Sequence, residues 1–422
     1  MSKGDYSLMP TLAFKKYSLP NFDEFRTNLQ EFLTKLDRQI KLLKEEDAAG
    51  DNYGKIILYL YQGLFSVVDA ERKYRAGDYV GAEADYVEGT KLIGRFQRMN
   101  TNFPLEFQQE AERLDLFANG RKSECQALKK GRSVDEQIAF LLEALNSYTL
   151  ETAIVEKRKI PLGVYNAKAR VNFVQGLIKR LEGQKAFGSK DFYLAKKRHL
   201  EAYRHFVLAT YFNPTYSPWI AEQNKTIKKV MNVIIREKAA KIWGEAFALS
   251  SEGQFLMCSE KCSLASKFYR KASKIATEKK DSMLMNAYSL MLRASMYEAK
   301  ANDFLKNKND AKGAIPQFKF AMKAMTEAVV ALPQMEDKES LRIRWEAQLQ
   351  YYKGYFYQTQ GIHNLDNEKY KEALEFFKQA SAEFKKGMKN AEVVKDNNLI
   401  QLLNKSLAEA KGYMGMCKTV LD

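Results

Sequence analysis

AGDYVGAEADYVEG, residues 76–89, contains tyrosines and valines that favour strands, yet its small residues recur at helical intervals. Aromatic and small residues alternate at steps of three, four and three, through Tyr79, Ala82, Tyr86 and Gly89. Residues at these steps lie on one face of an α-helix. The stretch therefore predicts the turn and the second helix of a helical hairpin, with Gly77 in the turn.

The same spacing of aromatic and small residues recurs along the chain. NEKYKEALEFFKQA, residues 367–380, repeats the spacing as Tyr370, Ala373, Phe377 and Ala380. Nine residues before each leading aromatic lies another small residue, Ala70 or Gly361, which lets a preceding antiparallel helix approach closely. Further copies are Gly183, Phe192, Ala195, His199 and Ala202; Gly253, Cys262, Ala265, Tyr269 and Ala272; and, more loosely, Ala314, Phe318 and Ala321.

This pattern resembles the tetratricopeptide repeat, a helix pair with small residues at the crossing and aromatic residues around it. The copies are unequally spaced, whereas the regular repeat is about 34 residues long. We therefore predict an all-α fold, an irregular right-handed solenoid of antiparallel helical hairpins, with a non-matching hairpin between residues 100 and 180. Residues 1–22 are expected to form an extended N-terminal arm, and residues 23–422 a single continuous solenoid.

Composition agrees with a folded helical protein. Of the 422 residues 45% are hydrophobic, and only 8 are prolines and 22 glycines. Four scattered cysteines are too few for a disulfide framework, which favours a reducing compartment. The polar start MSKGDYSLMP lacks the apolar core of a signal peptide, and no apolar run approaches a membrane span. We expect a cytoplasmic protein without a transmembrane segment, with peripheral contact to a membrane left open.

The positive charge is concentrated in one part of the chain. The net charge is +16, and residues 121–240 hold 23 Lys and Arg against 11 Asp and Glu. The basic clusters in this part are Lys157, Arg158 and Lys159; Lys196, Lys197 and Arg198; and Lys225, Lys228 and Lys229. On one surface they would attract anionic lipid at about 1 kcal/mol per charge, or an acidic protein. The alternative is that these clusters are ordinary solvated helix faces. Nucleic acid is a less favoured partner, because no RNA-binding motif lies between the clusters.

Three segments resemble BRO domains, which occur in ALIX-like adaptors of the ESCRT membrane-remodelling machinery. LAFKKYSLPNFDEFRTNLQEFL is similar to their opening, and EKYKEALEFFKQASAEFKKGMKNAEVVKDNNLIQLLNKSLAEAKG to their last core hairpin. GAEADYVEGTKLIGRFQRM, residues 81–99, looks like a helix that carries part of their partner-binding surface. The resemblance implies binding of an amphipathic helix from an ESCRT-III-type subunit, with Ile93 and Phe96 nearest the apolar contact patch. The alternative is that both residues belong to the core.

Nothing in the sequence indicates catalysis. The three histidines, His199, His205 and His363, do not have the spacing of a metal site, and Cys258 with Cys262 has no second cysteine pair. Phosphate-binding glycine loops and nucleophile elbows are absent from the sequence. We therefore expect no enzyme activity, no catalytic residue, no cofactor and no metal.

These observations favour a non-enzymatic adaptor or scaffold. It would bind a peptide or an amphipathic helix of a protein partner, with a basic face for an anionic membrane or acidic partner. A link to ESCRT follows only from the BRO resemblance. Two alternatives stay open: a structural subunit of a large cytoskeletal or ciliary assembly, and an RNA-binding helical solenoid.

Overall fold

The chain folds into helices joined by short turns. The computed structural model describes residues 22–46, 48–99, 103–159, 161–333 and 338–421. These residues form no strand, so the all-α prediction is confirmed. The predicted N-terminal arm lies outside the described residues, except that Phe22 begins the first helix.

Fourteen α-helices follow one another in the described part of the chain. They are α1 (Phe22–Glu46), α2 (Ala48–Arg75), α3 (Tyr79–Met99), α4 (Leu105–Leu128), α5 (Val134–Lys157), α6 (Pro161–Gly188), α7 (Phe192–Phe212), α8 (Ser217–Ser251), α9 (Phe255–Ile275), α10 (Lys279–Asn302), α11 (Ala311–Ala331), α12 (Glu339–Asp366), α13 (Tyr370–Val393) and α14 (Asn397–Leu421). A 3₁₀ turn, Pro214–Tyr216, precedes α8, and a π-helical turn, Asp303–Asn307, follows α10.

The helices belong to two compact units. The first ends at Ile227 and the second begins at Lys228, so the boundary falls inside α8. Within each unit, helices adjacent in sequence pack against each other. Each unit is therefore an array of consecutive hairpins, while the single continuous solenoid and its right-handed sense stay predictions.

Glycines set how closely the helices of a hairpin approach. A Cβ atom at Gly361 of α12 would lie 2.6 Å from the Phe377 ring of α13. In the α6–α7 hairpin, one at Gly176 would lie 2.6 Å from the ring of Phe206. An aromatic ring of the second helix thus occupies the space where the first helix lacks a side chain. Because the ring lies directly on the backbone, the two helices cross at close distance.

Other hairpins reach close contact with different residues. In α4–α5, the hairpin that lacks the repeat pattern, Gly120 lies under the Tyr148 ring. In α9–α10, Ser266 and Ser289 each donate a hydroxyl hydrogen bond to the other's carbonyl oxygen, at 2.8 and 3.0 Å. Small side chains that hydrogen-bond to the opposite backbone bring two helices together as glycine does, and satisfy their own hydroxyls.

One turn geometry joins several of the hairpins. At the end of α2, Gly77 adopts φ +82°, and the Asp78 amide donates to the Lys73 carbonyl at 3.0 Å. The Asp78 carboxylate then accepts from the Gly81 amide and caps α3. This is a Schellman turn followed directly by an N-cap. The positive-φ position is filled at equivalent turns by Lys190, Gly253, Glu368 and Lys395.

One local prediction was wrong. Gly253 is not at a helix crossing, because its φ of +78° places it in the turn after α8 and no heavy atom lies within 4 Å of its Cβ position. The predicted residues that follow it on α9, including Cys262 and Tyr269, are buried.

Among the described helices, α5 alone is long and apolar enough to cross a membrane by length and composition. Core helices of globular domains pass the same test. One face of α5, with Leu141, Ala144 and Tyr148, is buried in the first unit. The composition of α5 therefore does not assign this helix to a membrane.

Replacing Gly361 with alanine is expected to lower the free energy of unfolding by about 1–3 kcal/mol, because the methyl group overlaps the Phe377 ring. Denaturant unfolding followed by circular dichroism measures this change. Gly412→Ala on α14 is the matched control, because no heavy atom lies within 4 Å of its Cβ position. Alanine should there stabilise the helix by up to about 1 kcal/mol. Equal effects of the two substitutions would show that the close crossing has no energetic role.

Candidate functional site

A groove of about 770 Å³ runs across the first unit. We name it the arginine–aromatic groove. Its lining residues are Val67, Val68, Glu71, Tyr74, Arg75, Tyr79, Arg113, Phe117, Arg121, Leu128, Gly163, Asn166, Arg170, Phe173, Leu177, Asn213, Thr215, Tyr216 and Trp219. Most of them come from α2, α4 and α6, the first helices of three consecutive hairpins. Stacking of hairpins therefore brings distant parts of the sequence to one concave surface.

Arg121 is a buried hub beneath this surface. Its Nε lies 3.1 Å from Glu71 Oε2, and its Nη1 donates to Glu124 Oε2 at 2.8 Å. The guanidinium also lies 4.4 Å from the ring centre of Tyr74 and 5.6 Å from that of Phe117. Tyr74 in turn donates its hydroxyl to Glu124 at 2.5 Å. A single arginine thus connects α2 and α4 through charge and through aromatic contact.

A second cluster connects α4, α5 and α6. Both carboxylate oxygens of the fully buried Glu151 accept from Arg170 Nη2, at 2.6 and 2.7 Å. Glu151 also accepts from Arg113 at 3.2 Å, and Arg113 pairs with Glu110 at 2.6 Å. The Arg170 guanidinium lies 4.9 Å from the ring centre of Phe117. The Phe117 ring therefore contacts an arginine from each of the two clusters. The groove floor is therefore a connected network of ion pairs and rings.

The network keeps its central pair charged. Burial acts to raise the pKa of Glu71, but Arg121 and Arg75 more than offset it, and the pKa lies below its ordinary value. Burial acts to lower the pKa of Arg121, yet Glu71 and Glu124 raise it well above its ordinary value. Burial raises the pKa of Tyr74, and the neighbouring Glu124 raises it further. At neutral pH the groove floor therefore holds carboxylates and guanidiniums in fixed geometry, with neutral tyrosines as donors.

The groove exposes the cationic members of this network more than the anionic ones. Four arginines line it, Arg75, Arg113, Arg121 and Arg170, against the single carboxylate of Glu71. Each of these guanidiniums forms an ion pair with a carboxylate. The ion pairs make the surface rigid and offset most of its positive charge. The buried Arg170 Nε has no hydrogen-bond partner in the described part of the chain. The groove thus offers aromatic faces, apolar walls and ordered N–H donors to an occupant.

The two apolar residues predicted to bind a partner lie inside the core. Ile93 and Phe96 on α3 are both 0% exposed. Ile93 packs against Gly63 of α2, and Phe96 makes an edge contact with Phe103. Their burial favours the core interpretation over the contact-patch interpretation, and a binding role for them stays a prediction.

The first two basic clusters are partly occupied by ion pairs. Arg158, at the end of α5, donates to Glu110 at 2.6 Å and so belongs to the groove network. Its neighbours Lys157 and Lys159 are exposed. On α7, Arg198 lies 3.0 Å from Glu182 and 2.8 Å from Glu201, while Lys197 is exposed and Lys196 half-buried.

The third basic cluster spans the boundary between the units. Lys225 belongs to the first unit, and Lys228 and Lys229 to the second. All three are exposed, and Lys229 lies 3.8 Å from Glu278. Binding of the nine basic residues to an anionic surface stays a prediction.

The histidines and cysteines occupy structural positions. His199 is buried over Gly183, and burial, with Arg180 contributing, lowers its pKa to about 4. Cys258 and Cys262 are free, buried neighbours on α9. Within the described ranges, no group of three or more His, Cys, Asp or Glu residues could hold a metal ion.

Sequence reasoning missed the arginine–aromatic groove. α4 contributes the arginines at its centre, and the buried residues of this helix spread well beyond a single face and include Arg113, Arg121 and Glu124. A periodicity search assigns charged residues to solvent and so passes over them. The available signal was the pair of i,i+3 partners on α4, Glu110 with Arg113 and Arg121 with Glu124, among small and apolar residues.

No protein-family model and no curated protein sequence matches this chain. Among solved structures, the chain is similar to the tetratricopeptide-repeat domain of P58(IPK), with 13% sequence identity and a TM-score of 0.20. The match covers 90% of this chain and 99% of that one. At this TM-score the similarity adds nothing to the fold assignment, which rests on the helix packing described above.

Replacing Arg121 with methionine is expected to lower the free energy of unfolding by about 3–5 kcal/mol near neutral pH, because buried carboxylates lose their main cation. The loss should shrink as the pH falls from about 7 to about 5, since protonation then relieves Glu71. Wild-type protein should instead lose stability on acidification, and only at lower pH, because Glu71 has a lowered pKa. Its charged form contributes stability that is present above the unfolded pKa and is lost as the pH falls through the folded pKa. Urea unfolding from about pH 7 to about pH 3 measures both curves.

The matched control is Arg204→Met on the exposed face of α7, which should change stability by less than about 0.5 kcal/mol at every pH. A difference between wild type and Arg121→Met that does not vary with pH would contradict the assigned role of Arg121.

Proposed function

We propose that this chain is a non-enzymatic interaction scaffold that receives a peptide segment of a protein partner in the arginine–aromatic groove. The observation that carries the proposal is that α2, α4 and α6 line one groove with aromatic, apolar and guanidinium groups. Binding sites for extended or helical peptides combine such apolar anchors with a few ordered polar groups. The ion pairs beneath the groove fix these groups before binding, which lowers the ordering cost of association.

The lining chemistry favours a particular kind of peptide. Phe173, Trp219 and Tyr216 form a continuous aromatic wall, with Phe173 stacked 4.5 Å from Tyr216 and edge-on 5.1 Å from Trp219. Such a wall suits an apolar or aromatic anchor side chain. The guanidinium edges suit the peptide's carbonyl oxygens or an adjacent carboxylate. We therefore propose an occupant that carries an aromatic or large aliphatic residue next to an acidic one.

Filling the groove should weaken peptide binding without unfolding the protein. Thr215 is exposed in the 3₁₀ turn and lines the groove, so Thr215→Trp places a large ring in it. Peptides selected from a display library on the full chain should lose at least about tenfold in affinity, a change that fluorescence anisotropy measures. Thr149→Trp, at an exposed position of α5 outside the groove, is the matched control and should bind normally. Selected peptides that bind both variants equally would place the peptide site elsewhere and overturn the proposal.

In this proposal, the predicted basic face consists of the exposed side of α7 alone. Lys197 and Arg204 are exposed there, on the same helix face as Tyr193 and Tyr211, which are 73% and 78% exposed. Cations alternating with interfacial aromatic residues suit the surface of an anionic membrane. The cytoplasmic location, the link to ESCRT, the structural-subunit alternative and the RNA-binding alternative stay predictions from the sequence.

Vesicle co-sedimentation tests this membrane contact. The full chain should pellet with phosphatidylserine vesicles at low salt, and Lys197→Glu combined with Arg204→Glu should weaken binding by at least about tenfold. Lys405→Glu combined with Lys411→Glu, at exposed positions of α14, is the control with the same change in net charge. Equal pelleting of the α7 variant and this control would remove α7 from the proposal and leave the peptide groove unaffected.

A further inference from the structure

A second concave site lies within the second unit. It is a cavity of about 830 Å³ whose walls come from α8, α10, the start of α12 and the turn between α13 and α14. Its cationic lining residues are Arg236, Lys338, Arg344 and Lys395. Asp396 is the one carboxylate among its lining residues. Three separate segments, α8, the start of α12 and the α13–α14 turn, therefore bring positive charge to one cavity.

The single carboxylate of the cavity lining already has two partners. Asp396 lies 2.7 Å from Arg344 Nε, and its Oδ1 caps α14 by accepting from the Leu399 amide at 3.2 Å. By contrast, Arg236 and Lys395 form no salt bridge with any carboxylate in the described ranges, and both are exposed. Counted over the described residues, the cavity lining therefore carries an excess of positive charge, unlike the balanced groove of the first unit.

Backbone geometry holds Lys395 at the cavity. The residue occupies the positive-φ position of the α13–α14 turn, with φ +53°. The following amide, of Asp396, donates to the Ala391 carbonyl at 3.0 Å and closes the turn. Asn397 and Asn398, which also line the cavity, begin α14, and the partial positive charge of a helix N-terminus adds to that of the side chains. A lysine at a position that suits glycine carries a conformational cost.

The apolar part of the cavity lining is rigid. Tyr288 of α10 stacks on Tyr269 with ring centres 5.4 Å apart, and Trp345 meets it edge-on at 5.4 Å. Leu284 and Leu341 complete this part of the lining. The cations thus share the cavity with a fixed, largely apolar surface, which limits where a ligand can bind.

We propose that this cavity binds a polyanion with two or more clustered phosphate groups. The cavity is much larger than one phosphate, and its cations lie on separate segments that a single phosphate would not neutralise together. Charge-assisted hydrogen bonds from arginine and lysine to phosphate oxygens are the strong interactions available here. The same chemistry is offered by a free polyphosphorylated molecule and by a phosphorylated lipid headgroup. This site is independent of the peptide groove and does not rest on it.

The turn geometry allows a test that separates an effect on ligand binding from an effect on stability. Lys395→Gly removes a cavity cation and relieves the positive φ, so it should lower affinity without lowering stability. Isothermal titration of the full chain with inorganic tripolyphosphate should show saturable binding to one site. Lys395→Gly and Arg236→Gln should each weaken it about fivefold, the equivalent of one well-placed charge. Lys190→Gly is the matched control: it changes the same residue type at the equivalent turn of the first unit, where φ is +63°.

Each outcome decides the proposal or the source of the ligand. Absence of saturable binding, or an equal loss in Lys190→Gly and Lys395→Gly, would overturn the site. Vesicles of phosphatidylcholine with phosphatidylinositol bisphosphate form the second arm, with Lys197→Glu combined with Arg204→Glu as background to silence α7. Vesicle binding that Lys395→Gly abolishes assigns a lipid headgroup, whereas binding of tripolyphosphate alone assigns a free polyanion. Both results support the phosphate site.

Discussion

The close crossing of paired helices is the constraint on which the rest of the structure depends. Where a ring of one helix lies on a glycine of the other, as Phe377 does on Gly361 and Phe206 on Gly176, the two backbones leave no room between them. Such crossings fix the rotation of each helix about its axis, because only one face presents the small residue. The remaining faces of the first helices are then free to build surfaces with the next hairpin. Both the arginine–aromatic groove and its floor follow from that arrangement.

Close packing also explains why the groove floor is ionic. Glu71, Glu124 and Glu151 lie where water has little access, so each needs an ordered cation or hydroxyl. Arg121 and Arg170 supply these bonds and at the same time cross from one hairpin to the next. Buried ion pairs contribute little net stability against apolar alternatives, but they penalise wrong arrangements strongly. The network therefore acts chiefly to fix how α2, α4 and α6 are placed around the groove.

The two concave sites differ in how their charge is arranged. In the groove every guanidinium has a carboxylate, so an occupant meets preformed donors and aromatic surface with little excess charge. In the cavity of the second unit, Arg236 and Lys395 have no such partner in the described residues, and the excess favours an anion. The first arrangement suits recognition of shape and hydrogen bonds in a peptide, and the second suits electrostatic capture. A common hairpin fold thus supports two binding chemistries through the charges placed on its loops and inner faces.

The sequence by itself determined the class of fold, because the steps between Tyr79, Ala82, Tyr86 and Gly89 are local and have one helical interpretation. It also located Gly77 in its turn, where only a residue tolerant of positive φ fits well. The arginine–aromatic groove was decided by the tertiary structure alone, since Arg121 meets a carboxylate 50 positions earlier in the chain. A charged residue in a sequence is interpreted as solvated until its partner is known, and partners on different hairpins have no spacing rule. Local periodicity therefore determines the helices, while contacts between distant helices determine which charges are buried, which are shared, and where a ligand can bind.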